Sequence, residues 1–291
     1  MKKTIKYFIT LLMIIVVSIS TTGCGTDEMD GIEIIVTNYA NEYIVNQLYS
    51  DHAKISSIYP DGVDTSTYKL SSKQKKEYAK KDIFVYNGSI ETERNLAIDL
   101  LDINSNLKII DTSYVLETDY APEELWLNPA SLLMMSQNVK NGLEEYITST
   151  YLKKEIDEKY KTFKIDISTL DVDYRDSVSE TNNKNIVVAD STLNYLEKFG
   201  LKVYCIDADA SDKTIADVEE LFNKKEVSYI LSFKNTEMNS IAKEMLDKYS
   251  NIKTIELHKL NILTDKEREN KEDYLTIMQN NLTLLNQELY Q

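Results

Sequence analysis

Side chains able to do chemistry are unevenly supplied in this chain of 291 residues: 48 Asp and Glu stand against two His and two Cys. The two imidazoles, His52 and His258, are so placed that no Ser-His-Asp arrangement is credible. No Gly-rich phosphate loop occurs, and spacing alone assigns no carboxylate pair to glycoside hydrolysis. Cys205 lies in the apolar run Lys202-Val203-Tyr204-Cys205-Ile206 and reads as a buried structural thiol. The net charge of −15 argues against nucleic acid and against docking on anionic lipid, both of which need clustered basic surface. What the acidic excess does favour is attraction of cations by the overall field.

Cys24 is the other chemically distinct position. It follows a basic start (Lys2, Lys3, Lys6), an apolar run over residues 9–19 and Thr21-Thr22-Gly23. A basic region followed by a short apolar stretch is the pattern of a secretory signal. Small residues ending in Gly-Cys resemble a bacterial lipoprotein cleavage box, with Thr21 where that pattern prefers Leu. The reading expects cleavage before Cys24, a lipid anchor on its thiol, and a working part at the extracytoplasmic face of the cell membrane. Residues 1–23 are then signal peptide and 24–31 a polar tether. A single remaining thiol forms no internal disulfide, so packing alone has to stabilise the exported part.

The elements that must position any site alternate along the chain. Residues 32–37 read as a strand, 39–49 as a helix and 54–59 as a strand ended by the turn Pro60-Asp61-Gly62. A polar helix over 71–81, a buried strand over 82–86 closed by Asn87-Gly88, a helix over 91–101 and a strand over 107–111 follow. The middle reads as two helices, the second long and joining two lobes; alternation of Phe163, Ile165 and Ile167 marks a place where it could be interrupted. Strands over 185–189, 201–206, 227–232 and 253–257 then alternate with helices over 191–199, 215–225 and 238–249, and one long helix over 267–289 ends the chain. Strands separated by helices of this length imply parallel sheets. The expected fold is α/β, with two lobes, each a parallel sheet of about four strands flanked by helices. The boundaries are 32–148, a linking helix over 149–181, and 182–291. Ligands bind beyond the carboxyl ends of such strands, which places a site between the lobes.

Five segments, in order, resemble the substrate-binding lipoproteins of zinc- and manganese-importing ABC transporters. They are Ile58-Tyr59-Pro60-Asp61-Gly62-Val63-Asp64; Asp82-Ile83-Phe84-Val85-Tyr86-Asn87-Gly88; Trp126-Leu127-Asn128-Pro129; residues 194–201; and residues 272–282. The resemblance covers nearly the whole chain after the leader. It implies two lobes joined by one rigid helix, a metal ion held between them, no enzymatic activity, and a monomer that delivers to an ABC permease in the membrane.

The family usually supplies His, His, His or Glu, and Asp or Glu as metal ligands. Here those positions fall on Ser66, Glu124, Asp190 and the neighbourhood of Asn261, with Asp64, Tyr68 and His258 close enough in sequence to contribute. No imidazole stands at the first three. The resemblance therefore implies a divalent metal, manganese or zinc by family, with an oxygen-rich set that favours a harder ion such as manganese, magnesium or calcium over zinc. Asp190 reads equally as a helix cap, and Glu124 leans toward ligation because its slot faces the cleft in relatives. Trp126 is expected in the core, and His52 is expected to do nothing special. The alternative is a family member that has lost the metal site and acts as a surface binding or adhesion protein.

Overall fold

Short runs of β-branched and aromatic residues build two sheets of the same design in the computed structural model, which describes residues 28–290. The expected signal peptide and Cys24 lie outside the described residues. In the first sheet, β1 (Ile32–Val36), β2 (Ala53–Ser57), β3 (Ile83–Tyr86) and β4 (Lys108–Asp111) run parallel in the order β2-β1-β3-β4. In the second, β5 (Asn185–Val188), β6 (Lys202–Cys205), β7 (Tyr229–Phe233) and β8 (Lys253–Leu257) run parallel in the order β6-β5-β7-β8. The central strands are apolar nearly throughout because helices cover both faces, whereas edge strand β2 alternates half-buried and exposed residues.

The first lobe carries α1 (Tyr39–Tyr49), α2 (Ser72–Tyr78), α3 (Glu91–Ile103), the single turn α4 (Glu124–Leu127) and α5 (Pro129–Tyr146). Helix α6 (Thr150–Glu180) leads to the second lobe. That lobe holds a 3₁₀-helix (Ser191–Phe199), α7 (Asp212–Lys224), α8 (Ser240–Lys248), α9 (Asp265–Glu269) and α10 (Tyr274–Leu289). Among the described residues no helix is long and apolar enough to cross a membrane.

One sequence expectation changes here, and one point that the sequence left open is decided. Helix α6 is continuous: Phe163, Ile167, Leu170, Tyr174 and Val178 form its buried stripe at helical spacing, and Ile165, which simulated a strand alternation, is exposed. The long terminal helix is broken. Lys271 takes a positive φ of 57°, and Asp273 opens α10 by accepting the Thr276 N–H at 2.8 Å, so residues 270–273 turn the chain between α9 and α10.

The lobes share one core. Ile34, Val36 and Trp126 from the first, Phe163 and Tyr174 from α6, and Leu231 and Tyr274 from the second belong to a single buried cluster. Tyr43 sits between Tyr274 (centroids 5.4 Å) and Phe163 (5.9 Å). Backbone bonds sew residues 261–263 of the second lobe to the first: Tyr39 N–H donates to Asn261 O at 2.8 Å and Gly62 N–H to Leu263 O at 2.9 Å. Continuous close packing of this kind resists rotation of one half against the other.

Helix α5 approaches β4 so closely that Gly142 has no room for a methyl group, since a Cβ there would lie 2.8 Å from Ile110 Cγ1. Ile110 is itself buried in the core, 3% exposed. Alanine improves helix propensity by about 1 kcal/mol, while overpacking a tight core costs about 1–3 kcal/mol. Gly142→Ala is therefore expected to destabilise by about 1 kcal/mol in urea unfolding; a gain in stability would show that the sheet yields freely.

Candidate functional site

The carboxyl ends of both sheets open on a cleft of about 520 Å³ whose walls come from both lobes. Thr37 and Asn38 follow β1, Glu93 starts α3, and Asp64 and Ser66 come from the loop after β2. Lys234 follows β7, and His258 and Asn261 follow β8. The turn Pro60-Asp61-Gly62 aims the Asp64 loop into this space, with Gly62 at φ 71° in the left-handed region open to glycine.

Four of the seven sequence candidates line the cleft together: Asp64, Ser66, His258 and Asn261. Each already has partners. Asp64 accepts the Ser66 N–H (2.9 Å) and hydroxyl (2.6 Å) and the Thr67 hydroxyl (3.1 Å), and these bonds hold its carboxyl below the usual range. The Asn261 amide donates to Thr65 Oγ1 at 3.4 Å. His258 is buried. Its Nδ1 accepts the Leu260 N–H at 2.9 Å and its Nε2 faces Glu267 Oε1 at 3.2 Å, which assigns the ring proton to Nε2. Burial pulls its pKa down, against the opposing pull of Glu267.

The other three stand elsewhere. Tyr68 packs edge-on against Tyr59 and accepts a bond from Gln74, outside the cleft lining. Asp190 caps the 3₁₀-helix by accepting the Thr192 N–H at 2.9 Å, and lines an adjoining cavity of about 270 Å³ that shares Thr236 and Glu237 with the cleft. Glu124 is 1% exposed and accepts the N–H groups of Asp119 (3.2 Å) and Tyr120 (3.3 Å); its other oxygen is bound by the ammonium of Lys198 from the second lobe. Among the described residues, no group of three or more His, Cys, Asp or Glu is arranged to hold a metal ion. The donors present do not fit a compact metal centre, because their lone pairs are spent on helix caps, turns and an ion pair.

Some site residues carried no clear sequence signal. Glu93 reads as an ordinary acid in the first turn of a helix, yet its carboxylate is buried against the cleft. It accepts the Thr37 hydroxyl at 2.5 Å and the Asn87 N–H at 2.7 Å. Burial pushes its pKa up to about 7, partly offset by those bonds. Lys198 and Lys259 bring cations against Glu124 and Glu123, the latter pair at 3.1 Å. Trp126 is both core and cleft wall: it is buried, and its indole N–H donates to Lys259 O at 2.8 Å. His52 is not idle. It joins Asp30 (2.9 Å) to Glu155 of α6 (3.2 Å) and ties the entry of β2 to the linking helix. Cys205 is half-buried, and burial raises its thiol pKa to about 12, consistent with a structural role.

Comparison with known proteins places this geometry. The zinc-binding lipoprotein AdcA of Streptococcus pneumoniae (strain R6) is 26% identical over 96% of this chain, and the zinc-binding protein AdcA of Streptococcus pyogenes serotype M3 is 29% identical over 55%. The chain spans about 60% of the length of the first and 32% of the second. Among solved structures, the zinc-bound ZnuA-like domain of S. pneumoniae AdcA superposes with a TM-score of 0.74 at 23% identity, covering 90% of this chain and all of that domain. The laminin-binding protein Lmb of Streptococcus agalactiae, described as an adhesin with metal-transporting activity, gives 0.73 at 21%, covering 89% of this chain and all of its own. Both likenesses show the fold, two parallel four-stranded sheets linked by a long helix. The model of the zinc-uptake complex component A, periplasmic, matches residues 34–288. With that match running through both sheets and α10, the chain belongs to the zinc-uptake complex component A family.

Proposed function

We propose that this chain is the extracytoplasmic solute-binding component of an ABC importer, lipid-anchored through Cys24, acting as a monomer and holding its cargo in the cleft between the lobes. The observation that supports it is the cleft itself: a polar space at the carboxyl ends of two like sheets, walled by both lobes. The cargo is a divalent cation or a ligand that replaces one. Asp64, Ser66, His258 and Asn261 share the cleft and reach the cargo only by exchanging the turn and backbone bonds they now make. Glu124 and Asp190 join them only by giving up Lys198 and the cap of the 3₁₀-helix. A shared core leaves little lobe motion, so the permease reads small changes at the cleft rim.

One observation favours the second reading, a surface binding or adhesion protein without a metal. The Glu124 carboxylate at an inherited ligand position is already neutralised from within the chain.

Thermal unfolding of the metal-stripped full chain in detergent, with zinc, manganese, calcium or none, decides between them. An ion at a hundredfold excess over its Kd adds about 2.7 kcal/mol, or roughly 5–10 °C for a protein of this size. A rise of that order with one ion, abolished in Asp64→Ala and His258→Ala, is expected. No rise with any of the three at millimolar concentration favours the adhesion reading.

A further inference from the structure

Two acidic side chains of the first lobe clasp one cation of the second. Lys198, in the last turn of the 3₁₀-helix, places its ammonium on Glu124 and, at 3.0 Å, on Asp119. Its neighbour Glu197 accepts the Tyr120 hydroxyl at 2.6 Å. Consecutive residues of one lobe are thus paired with residues 119, 120 and 124 of the other. Glu124 is buried, and a buried carboxylate persists only beside a compensating charge and donors. Lys198 and the two loop N–H groups supply these with no added ion.

The loop so fixed, residues 112–123, does not hold its shape cheaply. Val115, β-branched and exposed, sits at φ 61°, and the Asn138 amide ties down Thr112 O and Tyr114 O, both at 3.0 Å.

We infer that Lys198 is a resident cation. Its ammonium occupies the position between Asp119 and Glu124 that an external ion would otherwise take, and latches the 112–123 loop onto the 3₁₀-helix in the absence of any ligand. A bare dication is therefore excluded from Glu124 while Lys198 is present. The latch does not depend on what the main cleft carries.

Hydrogen–deuterium exchange on the full chain in detergent tests this. In wild type, protection of residues 112–123 and 191–199 should be the same in chelator as in millimolar zinc, manganese or calcium. Lys198→Met should raise exchange about tenfold in those two segments while α10 and β5 stay protected, and Lys198→Arg should keep most of the protection. Unchanged exchange in Lys198→Met, or a metal-dependent gain of protection in the wild-type segments, overturns the inference. If Lys198→Met loosens the whole chain, the double variant Asp119→Asn/Tyr120→Phe decides. Both of those residues are exposed, and faster exchange confined to the two segments supports the latch, while none refutes it. A metal-induced rise in melting temperature with an intact latch, or a latch without such a rise, separates this outcome from that of the cleft cargo.

Discussion

Trp126→Ala is expected to lower the unfolding free energy by about 4 kcal/mol, the usual scale for removing a buried aromatic ring. Trp126 is 2% exposed and stands where the lobes meet. Its indole N–H reaches Lys259 O at 2.8 Å, and its carbonyl accepts the hydroxyl of Tyr274 on α10 at 2.6 Å. Alanine keeps the carbonyl but leaves a cavity in the core common to both lobes and an unpartnered carbonyl at Lys259. The same ring walls the cleft, so ligand response should fall with stability. Urea unfolding measures the first effect. A loss under about 2 kcal/mol would mean that the surrounding side chains collapse into the space, and that the lobes depend on each other less than their joint packing indicates.

Glu93→Gln should change the pH dependence of stability, and the sign follows from where the proton is held. In the folded chain burial raises the Glu93 pKa from 4.5 to about 7. The native state therefore holds a proton that the unfolded chain has released. The stability contributed is complete below about pH 4.5 and is lost as pH rises through about 7. Across that interval the linkage amounts to roughly 3 kcal/mol, since one pH unit corresponds to about 1.4 kcal/mol. Glutamine is neutral throughout, and its carbonyl can still accept from Thr37 and Asn87. The variant should gain on wild type from pH 5 upward and exceed it by up to that amount at pH 8. Equal slopes in both proteins would mean that water or a cation already compensates the carboxylate in the cleft. His258 and Glu267 act in the opposite sense. Each has a depressed native pKa, so their contributions are present at higher pH and lost on acidification, below about pH 6.5 for His258 and 4.5 for Glu267. Comparing variant with wild type removes both.

The α/β architecture was legible because its signals are local. Buried parallel strands read as short apolar runs such as Ile83-Phe84-Val85-Tyr86, and side chains such as Asn38 and Ser71 cap helices whose starts they announce. Where local signals conflict, packing decided. Phe163 and Ile167 carry one meaning as alternate residues of a strand and another four apart on a helix, and only a partner surface makes the second correct. Residues 270–273 contain no Gly or Pro, and the cap Asp273 does not stand out in so acidic a stretch, so the break before α10 is hidden in the sequence.

Site chemistry was legible only in part, for a physical reason. The order of segments predicts which loops reach the cleft, and Asp64, Ser66, His258 and Asn261 do line it. What each side chain does there depends on competing partners that sequence spacing does not reveal. Asp190 keeps the N–H two residues on, a contact its position announced. Glu124 is held by Lys198, seventy-four residues away on the other lobe. The sequence by itself thus determined two like sheets, their linking helix, the acidic field and the scarcity of nitrogen donors. Tertiary structure alone decided which carboxylates remain available, because buried charges are settled by whatever counter-charge folding brings within bonding distance.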